Sequence, residues 1–381
     1  MTQLVAQRLY ETRDDLIDLN TPYFVNHLIT YIGNKRRLLP FLNSAFCQIK
    51  SRLGKRKITT LDGFSGSGAV SRLLKYHSSK LISNDQEGYC ETINKAYLAN
   101  KDSVDLELLN SAINHLNNHK LDDTQSPYFV SHNYAPRDDL AIKEDERVFY
   151  TVKNARIIDN VRYLIDRDIS EDLRVFCLAN LLVKSSIHTN TSGVFKGFHK
   201  REGRGHFGGD GENALTRITN EISLDMPIFS EFSAEVEVTK KDLNQLVTEI
   251  EEVDLAYFDP PYNQHPYGSN YFMLNIINGG KPAEIQDGVS GIIKNWNKSA
   301  YNRAKAAEVA MDNLLRDTRA KFIAISYNNE GIIPIDIFKQ ILNKFGRWSL
   351  QEMDYQTYRG SRNLRNRNNM VKEFLWVLEK Y

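Results

Sequence analysis

The chain is predicted to be an α/β protein: a mostly parallel sheet with helices on both faces, interrupted by a long insertion. Three stretches predict it. Ile58 to Asp62 is a short β-rich run that stops at Gly63-Phe64-Ser65-Gly66-Ser67-Gly68 and resumes as a helical pattern from Ala69 to Tyr76. Leu81 to Asn84 then reads as a strand ending at Asp85, and Tyr89 to Ala99 as a helix. Consecutive strand-helix units imply parallel strands, because parallel neighbours need a long, usually helical crossover. Finally, the apolar run Val253 to Phe258 reads as a buried strand and stops at Asp259-Pro260-Pro261-Tyr262.

Between these landmarks the period lapses. Ser103 to Asp168 mixes polar loops with short segments and shows no strong repeat. Ser170 to Ser186 recovers a helix, with Leu173, Phe176, Ala179, Leu182 and Val183 on one face behind a Ser170 cap. Strand signals return at Ala234 to Val238 and Lys321 to Ser326, and Val371 to Leu378 is β-rich but alternates less cleanly. The expected organisation is a sheet-bearing catalytic domain over residues 1–104 and 233–381, with residues 105–232 inserted. Insertions of that size are usually functional or form a subdomain.

Bulk composition bounds the function. Lys and Arg total 49 against 48 Asp and Glu, a net charge of +1, so any nucleic-acid surface must come from local patches. Cys47, Cys90 and Cys177 are far apart, which excludes a disulfide framework and gives no metal spacing. No metal is expected, and a reducing compartment is the simplest setting. No stretch approaches about 18 apolar residues, and Met1 to Asn20 is too charged for a signal peptide, so a cytoplasmic protein is expected.

The chemistry concentrates at strand ends. In an open α/β sheet the ligand crevice lies at the carboxyl ends of the strands. Two consecutive prolines after Phe258 fix φ and remove two backbone donors. The turn then offers a carboxylate, free carbonyls and one ring, which suits a flat amino-bearing group such as a nucleobase. Gly63, Gly66 and Gly68 let backbone amides approach a ligand at a helix amino terminus. No Gly-Lys-Ser/Thr follows, so this is not a phosphate loop, and a dinucleotide fingerprint fails at its third glycine.

Asp85 stands about 20 residues beyond the loop, where ribose hydroxyls are held, although a helix N-cap would also account for it. A ribose site without a pyrophosphate cradle fits S-adenosylmethionine. Upstream, Tyr31-Ile32-Gly33-Asn34-Lys35-Arg36-Arg37 offers a turn at Gly33 and, in Lys35, a partner for a cofactor carboxylate; an exposed basic helix start is the alternative.

Together these segments resemble the S-adenosylmethionine-dependent, adenine-specific DNA methyltransferases. In the resembling class, which includes the Dam methylases, the cofactor-binding segments precede the target-recognition region and DPPY follows it. The FokI-type modification methylases look closer. The resemblance runs from about Tyr31 to Lys380 and includes Asn190-Thr191-Ser192-Gly193-Val194-Phe195, Tyr267, Asn270-Tyr271 and Ser326-Tyr327-Asn328-Asn329-Glu330-Gly331.

It implies a Rossmann-like methyltransferase fold with an inserted target-recognition subdomain. It also implies that Tyr31, Gly33 and Lys35 contact the cofactor, that Asp62, Phe64, Gly66 and Gly68 build its loop, and that Asp85 holds its ribose. Asp242, which equally suits a helix cap, matches the acid that meets the cofactor's adenine, and Asp259 borders both cofactor and base. His265-Pro266 and Phe272 depart from the arginine, glutamine and histidine expected in FokI-type relatives.

The exocyclic amine of adenine is a poor nucleophile because its lone pair is delocalised into the ring. Asp259 and the Pro260 carbonyl would accept its two hydrogens, and Tyr262 would stack on a base flipped out of the duplex. Two basic clusters are candidates for DNA contact: Lys196, Lys200, Arg201 and Arg204 among glycines, and Arg359, Arg362 and Arg365 with Arg367 and Lys372. The expected partners are double-stranded DNA and a cognate restriction endonuclease, with a monomer as default. The same planar amine occurs in cytosine and in RNA, where serine in place of Asp259 is more usual for cytosine. A non-catalytic DNA-binding relative is the remaining alternative.

Overall fold

The computed structural model describes residues 17–26, 28–122, 125–212, 214–356 and 370–381. After a short helix α1 (Pro22–Val25) and α2 (Leu39–Leu53), the chain alternates strand and helix. It runs β1 (Ile58–Asp62), α3 (Ala69–His77), β2 (Ser78–Asn84) and α4 (Gly88–Tyr97). The inserted stretch is helical: α5 (Leu106–His119), α6 (Phe129–Tyr134), α7 (Val152–Asp168) and α8 (Glu171–Ile187). A small hairpin, β3 (Lys200–Arg201) and β4 (Arg204–Gly205), and α9 (Leu215–Thr219) complete it. The sheet resumes with β5 (Glu235–Thr239), α10 (Leu243–Glu249) and β6 (Val253–Phe258). It closes through α11 (Tyr267–Asn270), α12 (Phe272–Gly279), α13 (Ala304–Asp317), β7 (Ala320–Asn328), α14 (Ile335–Asn343), β8 (Gly346–Gln356) and β9 (Met370–Lys380).

The seven-stranded order is β5-β2-β1-β6-β7-β9-β8. Every pairing among β5, β2, β1, β6 and β7 is parallel, whereas β9 runs antiparallel to both β7 and β8. From β1 the chain winds outward to β2 and β5, then returns to β6 on the other side of β1. The strand order therefore reverses between β1 and β6, and a crevice opens beyond their carboxyl ends. Those ends carry Gly63–Gly68 and Asp259–Tyr262, so topology alone brings the glycine loop and the proline turn together.

The predicted strands β1, β2, β5, β6, β7 and β9 and helices α3, α4 and α8 are present. Ser170 stands at the α8 N-cap position, but its side chain makes no capping hydrogen bond. Two long helices, α5 and α7, occupy the stretch where no period was apparent. In α7 the buried face includes Asn154, Asp159 and Asn160, which breaks the apolar repeat. Each is satisfied by backbone outside the helix: Asn154 donates to Ile218 and Asn220 carbonyls, Asn160 to Lys120 and Asp122 carbonyls, and Asp159 accepts from the Val130 and Ser131 amides.

Among the described residues of 105–232 most of the buried apolar side chains join the core of the sheet domain. Leu109, Ile113, Ile157, Ile158, Leu181 and Leu182 share one apolar cluster with Tyr89 and Ile93 of α4 and with Phe272 to Ile277 of α12. Only Val148, Phe207 and Ile218, next to the hairpin, form a small separate cluster.

Candidate active site

A cleft lies beyond the carboxyl ends of β1 and β6. It is lined by Tyr31, Gly33, Phe64, Asp85, Asp242 and Asp259 among the residues singled out from sequence.

The glycine loop is pinned at its first and third residues. Gly63 N–H donates to the Tyr257 carbonyl at 2.9 Å and Ser65 N–H to the Asn84 carbonyl at 2.9 Å, so the loop is stitched to neighbouring strands. Gly66 takes φ +49°, and a Cβ there would lie 2.7 Å from the Tyr31 ring. Gly68, at φ +79°, would bring a Cβ 2.2 Å from Asn94 Oδ1. Both glycines thus answer to backbone shape and close packing, and neither lines the cleft.

Asp85 Oδ2 accepts from Gly66 N–H at 2.8 Å and Oδ1 from Glu87 N–H at 2.9 Å. Burial raises its pKa, against the lowering effect of those two amides. Glu87, overlooked in the sequence, also lines the cleft; Asn275 donates to it at 2.6 Å, and burial lifts its carboxyl to about 7. Asp62 lies behind the loop, outside the lining, with Ser71 Oγ donating to it at 2.6 Å; burial lifts it to about 7. Asp242 lines the cleft and also caps α10, accepting from the Asn244 and Gln245 amides.

Tyr31 is held by a ring stack. Its centroid lies 4.9 Å from Tyr267 and 4.9 Å from Tyr271, at interplanar angles of 23° and 20°. Ile32 is clamped alongside: its N–H donates to Tyr271 Oη at 2.8 Å, and its carbonyl accepts from Tyr267 Oη at 2.9 Å. The short α11 and the start of α12 therefore fix the segment that leads to Lys35.

The proline turn divides its side chains between two environments. Asp259 and Pro261 face the cleft, whereas Pro260 is buried and Tyr262 is half-buried outside the lining. The Tyr262 ring lies 5.7 Å from Lys35 Nζ, and its carbonyl accepts from Ile332 N–H at 3.1 Å. Lys35, expected on a cofactor carboxylate, directs its ammonium to two protein carboxylates: Asp259 Oδ1 at 3.1 Å and Glu373 Oε1 at 2.7 Å. Burial opposes the lysine's charge, but the two anions hold its pKa well above the ordinary value. Burial lifts Asp259 to about 6, with Lys35 pulling down and Glu373 pushing up.

Sequence reasoning also left Asn297, Tyr301 and Asn302 unassigned, and all three line the cleft. Asn297 donates to the Gln86 carbonyl and Asn302 to the Asn263 carbonyl, while Tyr301 Oη donates to Asn244 and its ring meets Phe64 edge-on at 5.2 Å. Of the basic residues, Lys200, Arg201 and Arg204 lie on the β3–β4 hairpin rather than an irregular loop. Glu202 and Gly203 form its turn at positive φ. Arg201 is 3.5 Å from Glu212, Arg204 3.7 Å from Glu144, and Lys200 lies over the Phe198 ring. Lys196 is half-buried, and burial lowers its pKa. Arg359, Arg362 and Arg365 lie outside the described residues.

A family model described as D12 class N6 adenine-specific DNA methyltransferase matches residues 31–341, most of the chain. The chain belongs to this family. Its relatives include the type II methyltransferase M.NlaIII of Neisseria lactamica, 29% identical over 92% of this chain and 99% of that protein. Another is M.CviAII of Paramecium bursaria Chlorella virus 1, 28% identical over 92% of this chain and 98% of that protein. M.FokI of Planomicrobium okeanokoites is 24% identical over 92% of this chain, which spans 52% of its length. This chain is therefore an adenine-specific DNA methyltransferase, so DNA and a methyl donor are its reactants. Among the described residues no helix is long and apolar enough to cross a membrane, and no cluster of His, Cys, Asp and Glu suits a metal ion.

Proposed function

We propose that the enzyme binds S-adenosylmethionine in the β1/β6 cleft and methylates the 6-amino group of an adenine flipped out of a short duplex sequence. The observation that carries this is Asp259, a carboxylate on the cleft wall at the end of β6, facing a cavity with acids but no phosphate cradle. The donor set fits a nucleoside cation: Asp85 is fixed by two amides, Asp242 lies on the same wall, and Phe64 and Tyr31 supply rings. When bound, the cofactor supplies an electrophilic methyl on a positively charged sulfur.

The chain's own residues do the rest. Asp259 and the Pro260 carbonyl accept the two amino hydrogens, which draws the nitrogen towards a tetrahedral, more nucleophilic state. Asp259 then takes the proton that the amine sheds. The stiff Pro260-Pro261 backbone keeps these acceptors in place, and such positioning can supply roughly 7 to 11 kcal/mol of a barrier of this kind. Tyr262 stacks on the flipped base, a contact of about 1 to 3 kcal/mol. Lys196, Lys200, Arg201 and Arg204 reach the phosphate backbone, with Arg359, Arg362 and Arg365 as a second basic segment. The cellular setting is modification within a restriction-modification system, as the relatives' names suggest for those proteins.

Asp259→Ala tests the site: it should bind donor and DNA yet lose methyl transfer by orders of magnitude, and full activity would sink the assignment. Mapping methylated bases in DNA from cells that express the chain tests the rest, since a modified base other than adenine would overturn it.

A further inference from the structure

Glu373 belongs to none of the motifs, yet it is the shortest charged contact of Lys35. It lies on β9, opposite Asn328 of β7 and Met353 of β8, and only 3% of its surface is exposed. Glutamate is almost never this buried unless paired. Here the pairing is uneven, because among the described residues one ammonium serves two carboxylates.

We propose that Glu373 is a positioning residue, which anchors the Lys35 ammonium beside the proline turn and shares it with Asp259, so that Asp259 remains an effective proton acceptor. This rests on the reading of Asp259 given above. The geometry supports it in two ways. Glu373 lies on a strand hydrogen-bonded on both sides, so Lys35 is tied to the sheet rather than to a loop. An ammonium devoted to Asp259 alone would stabilise the carboxylate strongly and weaken its affinity for a proton; sharing moderates that effect. The other titratable groups around Asp259 are Asp62 at the end of β1, Tyr257 on β6, and Tyr262 and Tyr267 beyond the turn. Among the described residues Asp62 is the acid of this set and Lys35 the cation in contact with Asp259, and Glu373 is the carboxylate that competes for the same ammonium.

Carboxyl carbon NMR titration of the ligand-free chain reads this directly, with the Asp259 resonance assigned by its loss in Asp259→Asn. The native midpoint should fall near about 6. Glu373→Gln, of the same shape without the charge, should lower it by roughly one pH unit or more. Glu373→Asp, which keeps the charge, should stay near the native value. In turnover, the acid limb of kcat/KM should follow the same displacement, while a purely structural role would lower activity without moving the limb. An Asp259 midpoint unchanged by Glu373→Gln overturns the proposal. Should that variant not fold, Glu373→Ala is titrated in its place: the Asp259 midpoint should fall in the same direction, and an unchanged midpoint overturns the sharing. Full turnover by Asp259→Asn would instead remove the proton-acceptor reading while leaving the titration result standing.

Discussion

The carboxylate of Asp85 accepts a 2.8 Å hydrogen bond from the backbone amide of Gly66, tying the end of β2 to the middle of the glycine loop. The contact orders the cleft wall before any ligand arrives, since the loop residue Gly66 has no side chain of its own to anchor it. Asp85→Ala should release both Gly66 and Glu87 amides. Hydrogen bonds to charged groups contribute about 1.5 to 3 kcal/mol each, so donor affinity should fall by at least tenfold. Calorimetry with S-adenosylhomocysteine checks this, and unchanged affinity would remove Asp85 from the binding wall.

Tyr271 plays two parts that a single substitution separates. Its ring stacks on Tyr31, and its hydroxyl accepts the Ile32 amide. Tyr271→Phe keeps the stack and leaves that amide without its acceptor, which costs about 1 to 3 kcal/mol. The expected outcome is a thermal midpoint lowered by a few degrees with measurable activity retained. Loss comparable to a large core truncation would mean that the hydroxyl supports more than Ile32.

Burial raises the carboxyls of Asp62 and Glu87 to about 7, from ordinary values of 3.8 and 4.5. Each is therefore more readily ionised in the unfolded chain than in the folded one. Their stabilising contribution is complete below the unfolded pKa and is lost as pH rises through the folded one. Stability should accordingly fall between about pH 4 and pH 7 and level off above that, with a ceiling of roughly 4 kcal/mol for Asp62 alone. Asp62→Asn should flatten that slope in denaturant titrations at several pH values. A slope that steepens, or stability that rises with pH in the native chain, would contradict this assignment.

In the parallel half of the sheet β1 and β6 were the most legible strands, because each is a short β-rich run that stops just before a glycine loop or a proline turn, at Asp62-Gly63 and Asp259-Pro260. The site was legible wherever a residue sits at such an end: Phe64, Asp85 and Asp259 all line the cleft. What escaped lacks a local signature. α7 buries Asn154, Asp159 and Asn160 against distant backbone, so its polarity reads as loop. β8 was missed because Arg347, Ser349, Gln351 and Glu352 interrupt its apolar residues along an edge strand paired only with β9. Glu373 lies between Lys372 and Phe374 in an unremarkable strand, and only the fold carries it to Lys35.

The hairpin basic residues are not equivalent as candidate DNA contacts. Arg201 donates to the Asp210 carbonyl and lies 3.5 Å from Glu212, so part of its charge is already offset within the protein. Lys200 is exposed, with its ammonium 5.2 Å from the Phe198 ring centroid. Each phosphate neutralised contributes a slope of about −0.9 to the dependence of log affinity on log salt. Lys200→Ala should therefore reduce the slope by about one, and Lys200→Ala with Arg201→Ala by less than twice that amount. The loss should be similar for specific and nonspecific duplexes, because phosphate contacts carry no base information. Fluorescence anisotropy across a salt series measures both quantities. A slope unchanged in the double variant would place the DNA elsewhere on the molecule, and a loss confined to one duplex sequence would make the hairpin a reader of bases.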